Sequence, residues 1–164
     1  MDQYDSLSRL YEVLYADCDK EKLGEEFVET HRELLEGYEN VRIHDASCGN
    51  GVQAVALRRA GYDTRASDLS AEMVRLTRKY AEESGVDLEV FQSGWDELHG
   101  RGDERYDVLL CVGNSFSHTR GREHRIETLG IFYELLNEGG TLVLDTRNWD
   151  MWIGKDPDYH IQNH

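Results

Sequence analysis

The chain has 164 residues, with 33 Asp and Glu against 18 Lys and Arg, a formal charge of −15 at pH 7. That excess repels nucleic acid and anionic membrane, so neither is an expected partner. It suits a very soluble surface, or a salty cytoplasm where the screening length falls to about 3 Å at molar salt. No apolar run reaches the roughly 18 residues of a membrane span. The acidic start Met1-Asp2-Gln3-Tyr4-Asp5 has no apolar core, so no signal peptide is expected. Three scattered cysteines, Cys18, Cys48 and Cys111, suit a reducing cytoplasm. No Cys/His pair has zinc-ligand spacing, so no metal is expected.

The length suits one domain. It divides into a helical cap (1–37), an α/β core (38–150) and a short polar tail (151–164). Residues 2–18 carry Leu7, Leu10, Tyr11, Leu14 and Tyr15 at helical spacing. Asp19 can cap a second helix running to about residue 36, with Leu23, Phe27, Leu34 and Leu35 inward. Val41 and Ile43 then alternate with polar neighbours as a first strand, which ends at Asp45. A turn containing Gly49 and Gly51 leads into a helix over 52–60. Strand, glycine turn and helix present a nucleotide at the carboxyl edge of a sheet, although a plain strand-to-helix turn reads the same way.

A second strand over 62–67 ends at Asp68, before a helix over 70–84 that Ser70 can cap. An acid about twenty residues beyond the glycines is placed to accept both hydroxyls of a ribose. Asp68 could instead be an ordinary residue at a helix start. A third strand (87–92) leads to Ser93-Gly94-Trp95, where an aromatic ring can stack on a flat base or anchor a loop. A fourth, nearly all apolar strand (106–112) reads as the buried middle of a parallel sheet. A helix over 121–136 and the turn Glu138-Gly139-Gly140 precede a fifth strand, 141–145. Alternation of strands and helices predicts a doubly wound, Rossmann-like α/β fold with a mostly parallel sheet. The first turn lacks the full G-x-G-x-x-G, which disfavours a nicotinamide oxidoreductase.

Cys48-Gly49-Asn50-Gly51, Asp68 and the glycine turn before strand five together resemble a class I S-adenosylmethionine-dependent methyltransferase. Val112-Gly113-Asn114-Ser115-Phe116-Ser117-His118 and Asp145-Thr146-Arg147-Asn148-Trp149-Asp150 resemble two signature loops of the glycine and glycine/sarcosine N-methyltransferase group. Asp2-Gln3-Tyr4 and Gly94-Trp95 resemble that group as well. The resemblance implies S-adenosylmethionine as cofactor, with Ala46 and Gly49 near its aminoacyl part and Asp68 on its ribose. It implies Trp95 against the adenine, Val112 and His118 lining the cleft, and Lys22 near the cofactor carboxylate. Tyr4 would close over the methyl group, and Asn114 and Arg147 would grip an amino-acid acceptor. His118 could alternatively cap the next helix.

The implied function is N-methylation of glycine or sarcosine, towards dimethylglycine and betaine. Alternatives are a methyltransferase for another small carboxylate-bearing amine, or a non-catalytic S-adenosylmethionine-binding domain. The resembled fold continues with two further strands beyond the fifth. The expectation is therefore a chain that associates through the edge of strand five, as a homo-oligomer, or one that keeps cofactor affinity without acceptor turnover.

Overall fold

The computed structural model describes residues 18–101 and 104–148. Residues 2–17 of the helix expected over 2–18, Tyr4 among them, and the tail 151–164 lie outside the described residues. Five strands, β1 (Arg42–Asp45), β2 (Asp63–Asp68), β3 (Glu89–Gln92), β4 (Tyr106–Cys111) and β5 (Leu136–Leu144), form one sheet. Every pairing is parallel and the order is β3-β2-β1-β4-β5. The helices are α1 (Lys20–Thr30), α2 (Arg32–Glu36), α3 (Val52–Arg59), α4 (Ala71–Glu83) and α5 (Gly121–Leu135). No helix among the described residues is long and apolar enough to cross a membrane.

Period-two side chains divide the core into two layers. Ile43, Val108 and Leu110 pack on one face with Leu35 and Leu57, while Ala66 and Val90 meet Ala54 and Val74 beside them. Leu109 and Cys111 point the other way and meet Leu98, Phe132 and Leu135. Ile43, Leu57, Leu109 and Phe132 are fully buried, each worth roughly 1.5–3 kcal/mol of transfer free energy. Helices therefore cover both faces, as the alternating pattern predicts. The strand order reverses between β1 and β4, which opens a crevice at their carboxyl ends.

Two elements differ from the sequence expectation. The helix expected over 19–36 breaks at His31, which caps both α1 and α2. The Thr30 hydroxyl donates to the Glu26 carbonyl (2.7 Å) and His31 Nδ1 meets the Phe27 carbonyl (2.8 Å), so side chains compete for the last-turn acceptors. The fifth strand begins five residues early, at Leu136, and bulges: Leu136 pairs with Tyr106, but Thr141 already pairs with Val108. Asn137 Nδ2 donates to Asp107 Oδ1 (2.7 Å) and pins the bulge. The outer edge of β5 has no strand partner among the described residues.

One contact fixes α1 over the start of α3. A Cβ on Gly24 would lie 2.6 Å from Ala56 Cβ and 2.9 Å from the Val52 carbonyl oxygen. Alanine improves helix propensity by about 1 kcal/mol, yet overpacking against backbone costs about 1–3 kcal/mol. Gly24→Ala should therefore destabilise the fold by up to about 2 kcal/mol, the difference of the two effects. A urea midpoint equal to or above that of the parent chain would show that α1 can shift away from α3.

Candidate functional site

The site is built on the turn between β1 and α3. Ala46 is buried and donates its N–H to the Leu110 carbonyl (2.9 Å), and Cys48 N–H bonds the Ser67 carbonyl (3.0 Å), so β4 and β2 hold the turn from either side. Gly49 has φ +53° and Gly51 φ +86°, backbone that an L side chain adopts only under strain. A Cβ on Gly51 would stand 2.9 Å from Thr77 Cγ2, whereas one on Gly49 would meet nothing within 4 Å. Gly51 therefore serves packing, and Gly49 leaves an open approach to the backbone. Thr77 of α4 is fully buried, and its hydroxyl donates to the Gly49 carbonyl at 2.8 Å.

Asp68 stands at the end of β2 beside this turn. Oδ2 accepts the Gly49 N–H and Oδ1 the Ser70 N–H, both at 2.9 Å. Burial raises its pKa, opposed by those two N–H groups. A carboxylate has about four lone-pair positions, so each oxygen keeps capacity for one further donor, as a vicinal diol supplies. Ser70 also caps α4, as expected, by accepting the Met73 N–H (3.3 Å).

Asp45 is the residue that sequence reasoning treated only as a strand end. It is fully buried at the tip of β1. Oδ1 accepts the Ser47 N–H (3.2 Å), while Oδ2 has no hydrogen-bond partner among the described residues. Burial, reinforced by the Asp68 charge and opposed by the Ser47 N–H, pushes its carboxyl up to about 7. The sequence signal was its place immediately before the glycine turn. Nearby, burial raises the Cys48 thiol and pushes Cys111 up to about 12, so neither is a nucleophile near neutral pH.

The loops after β4 and β5 meet. Asp145 Oδ2 accepts the Gly113 N–H (2.9 Å) and Oδ1 the Asn114 N–H (2.6 Å). Asn114 Oδ1 in turn accepts the backbone N–H of Arg147 (3.1 Å). The two residues expected to grip an acceptor are thus neighbours across 33 positions of sequence. Arg147 is exposed, and its guanidinium has no ion-pair partner among the described residues. Pairing with Asp145, a purely structural use of Arg147, is not what the carboxylate does.

Trp95 does anchor a loop: its indole N–H donates to the Ala46 carbonyl (2.8 Å) and its ring packs edge-on to Phe132 at 5.5 Å. This puts an aromatic ring at the β1 turn. Val112 is buried, and its carbonyl accepts the Ser115 hydroxyl (2.9 Å) and the Ser47 hydroxyl (3.4 Å). His118 is exposed at the end of the 3-10 turn Ser115–His118, and α5 starts from Arg120 instead, so His118 is not the cap. Lys22 is not brought into this group: among the described residues its ammonium pairs only with Glu26 (3.9 Å), on α1. Tyr4 lies outside the described residues.

Fold and site together define an open, doubly wound α/β domain with its ligand crevice beside β1, β2 and β4. Residues 43–140 match the family described as methyltransferase domain, and the chain belongs to that family. It is 40% identical over 109 residues to a glycine/sarcosine N-methyltransferase of Halorhodospira halochloris, covering 66% of this chain and 41% of that protein. With the glycine/sarcosine N-methyltransferase of Aphanothece halophytica it shares 35% over 128 residues, 78% of this chain and 47% of that protein. The chain therefore spans less than half the length of these curated relatives. An S-adenosylmethionine-dependent methyltransferase from Clostridium acetobutylicum has the same fold, with a TM-score of 0.65 over 86% of this chain and 56% of that one, at 20% identity.

Proposed function

We propose that this chain binds S-adenosylmethionine beside β1 and β2 and methylates the amine of glycine or sarcosine, in a reducing cytoplasm. The names of its relatives favour these acceptors over another small carboxylate-bearing amine. The site suits the cofactor on two counts: free acceptor capacity on Asp68 for a diol, and an open backbone at Gly49. When bound, S-adenosylmethionine supplies a methyl on a sulfonium, already activated for transfer. Asp68 holds the ribose hydroxyls, Ala46 and Gly49 border the aminoacyl part, and Trp95, Val112 and His118 line the cleft. Tyr4, outside the described residues, would by the resemblance alone cover the methyl.

Asn114 and Arg147 orient the acceptor by its carboxylate. Aligning the amine lone pair can contribute roughly 7–11 kcal/mol without a strong general base. The observation that carries this reading is the backbone bond that brings Arg147 next to Asn114, with the Arg147 side chain exposed and in no ion pair among the described residues, in a chain whose overall field repels a carboxylate. Calorimetric titration of S-adenosylmethionine and a methyl-transfer assay on glycine, sarcosine and dimethylglycine test it. Cofactor binding with no transfer to any of the three would leave a non-catalytic binder, and no cofactor binding would end the reading.

Arg147→Lys keeps the charge and the backbone N–H but loses the bidentate fork. Its acceptor KM should rise about tenfold, on the scale of one charged hydrogen bond, with cofactor affinity nearly constant. Equal loss for both ligands would assign Arg147 to loop structure alone.

A further inference from the structure

We propose that Asp145 is a positioning residue for the acceptor, holding the turn after β4 so that the Asn114 carboxamide and Arg147 share one face of the cleft. This rests on the function proposed above. Gly113 and Asn114 are both left-handed, at φ +76° and +66°. For a residue with a Cβ that conformation costs about 1–2 kcal/mol, less for asparagine. Two successive left-handed residues turn their N–H groups the same way, and here both meet one carboxylate, one per oxygen, at 2.9 and 2.6 Å. These are charge-assisted bonds, stronger than bonds between neutral groups.

The rest of the turn is equally committed. The Asn114 carbonyl accepts both the N–H (3.2 Å) and the hydroxyl (2.7 Å) of Ser117. Its side-chain oxygen accepts the Arg147 N–H. What remains is the Asn114 Nδ2 group, whose two N–H donors have no partner among the described residues. Both donors and the Arg147 guanidinium suit a carboxylate. Asp145 lies between them in the chain: its own N–H reaches the Cys111 carbonyl (3.4 Å), and Arg147 follows two residues later. One side chain thus sets the relation between two loops that the sequence separates.

Charge and position make opposite predictions for Asp145→Asn. Acting through charge alone, Asp145 would repel an acceptor carboxylate, and its neutralisation would lower the acceptor KM. As a positioning group it cannot be replaced by an amide, because an amide has one acceptor oxygen and turns an NH₂ towards the second backbone N–H. The Asn variant should therefore raise the KM for glycine or sarcosine about tenfold, with the S-adenosylmethionine Kd within about twofold. Amide exchange at Gly113 and Asn114, read by NMR with no acceptor present, should accelerate about tenfold. A KM that falls or stays the same overturns the proposal, as does unchanged exchange. An equal loss of cofactor affinity overturns it in favour of a general structural role. A parent chain that transfers no methyl to either amine removes the proposed function, and this inference with it; a parent that does, beside an unaffected variant, removes the inference alone.

Discussion

Asp68→Ala should lower S-adenosylmethionine affinity by roughly ten- to a hundredfold, the equivalent of about 1.5–3 kcal/mol for hydrogen bonds to a charged group. Two losses combine. The direct one is the acceptor proposed for the ribose hydroxyls. The indirect one is the hold on the Gly49 N–H, since the same oxygen that would take a hydroxyl also fixes the glycine turn. Asp68→Asn separates them in part, keeping one oxygen for one donor and facing an NH₂ to the other. Its affinity should fall between those of the parent and the Ala variant. Calorimetric titration at constant pH measures both, with circular dichroism to establish that each variant is folded. Asp68→Ala with its fold intact and its affinity unchanged would remove Asp68 from the cofactor site.

A second large effect concerns Asp45 and pH. The folded carboxyl titrates near 7, against an ordinary value of 3.8. Between those values the native chain binds a proton that the unfolded chain has released. The contribution of Asp45 is thus fully present below about pH 4, declines as pH rises, and is gone once pH passes about 7. Asp45→Asn mimics the protonated form at every pH. From pH 5 to 8 the stability of the parent should fall relative to that of the Asn variant by on the order of 3 kcal/mol. Taking the difference between the two chains cancels the other titrating groups, apart from Asp68, Cys48 and Cys111, which interact with the Asp45 charge. Urea unfolding at several pH values reads it, and a pH-independent difference would mean that Asp45 titrates normally.

Much of the fold was legible because it rests on local rules. The period-two apolar pattern located the strands, Ser70 and Asp19 declared themselves as caps, and the nearly continuous apolar run of β4 marked the buried middle of the sheet. The break at His31 was hidden, because apolar periodicity runs through it and the competing hydrogen bonds come from Thr30 and His31 side chains. The early start of β5 was hidden too, since its pairing depends on Asn137 and Asp107, 30 residues apart. At the site, Asp68, Asn114 and Arg147 could be named from motifs. The work of Asp145 could not, because an acid at a strand end carries no sign of which N–H groups it will face. Thr77 was less visible still: a threonine among the apolar residues of an amphipathic helix reads as a packing substitute.

Thr77 also bears on how fast a ligand can bind. Its hydroxyl donates to the Gly49 carbonyl while Asp68 accepts the Gly49 N–H, so both backbone polar groups of Gly49 are already committed before any ligand arrives. A loop that must be ordered during binding adds a conformational step and slows association. Here the ordering entropy has been met in folding, through a helix on one side and a strand on the other. The encounter then meets a surface in its final shape, and differences in affinity among ligands at this turn fall on their rates of departure.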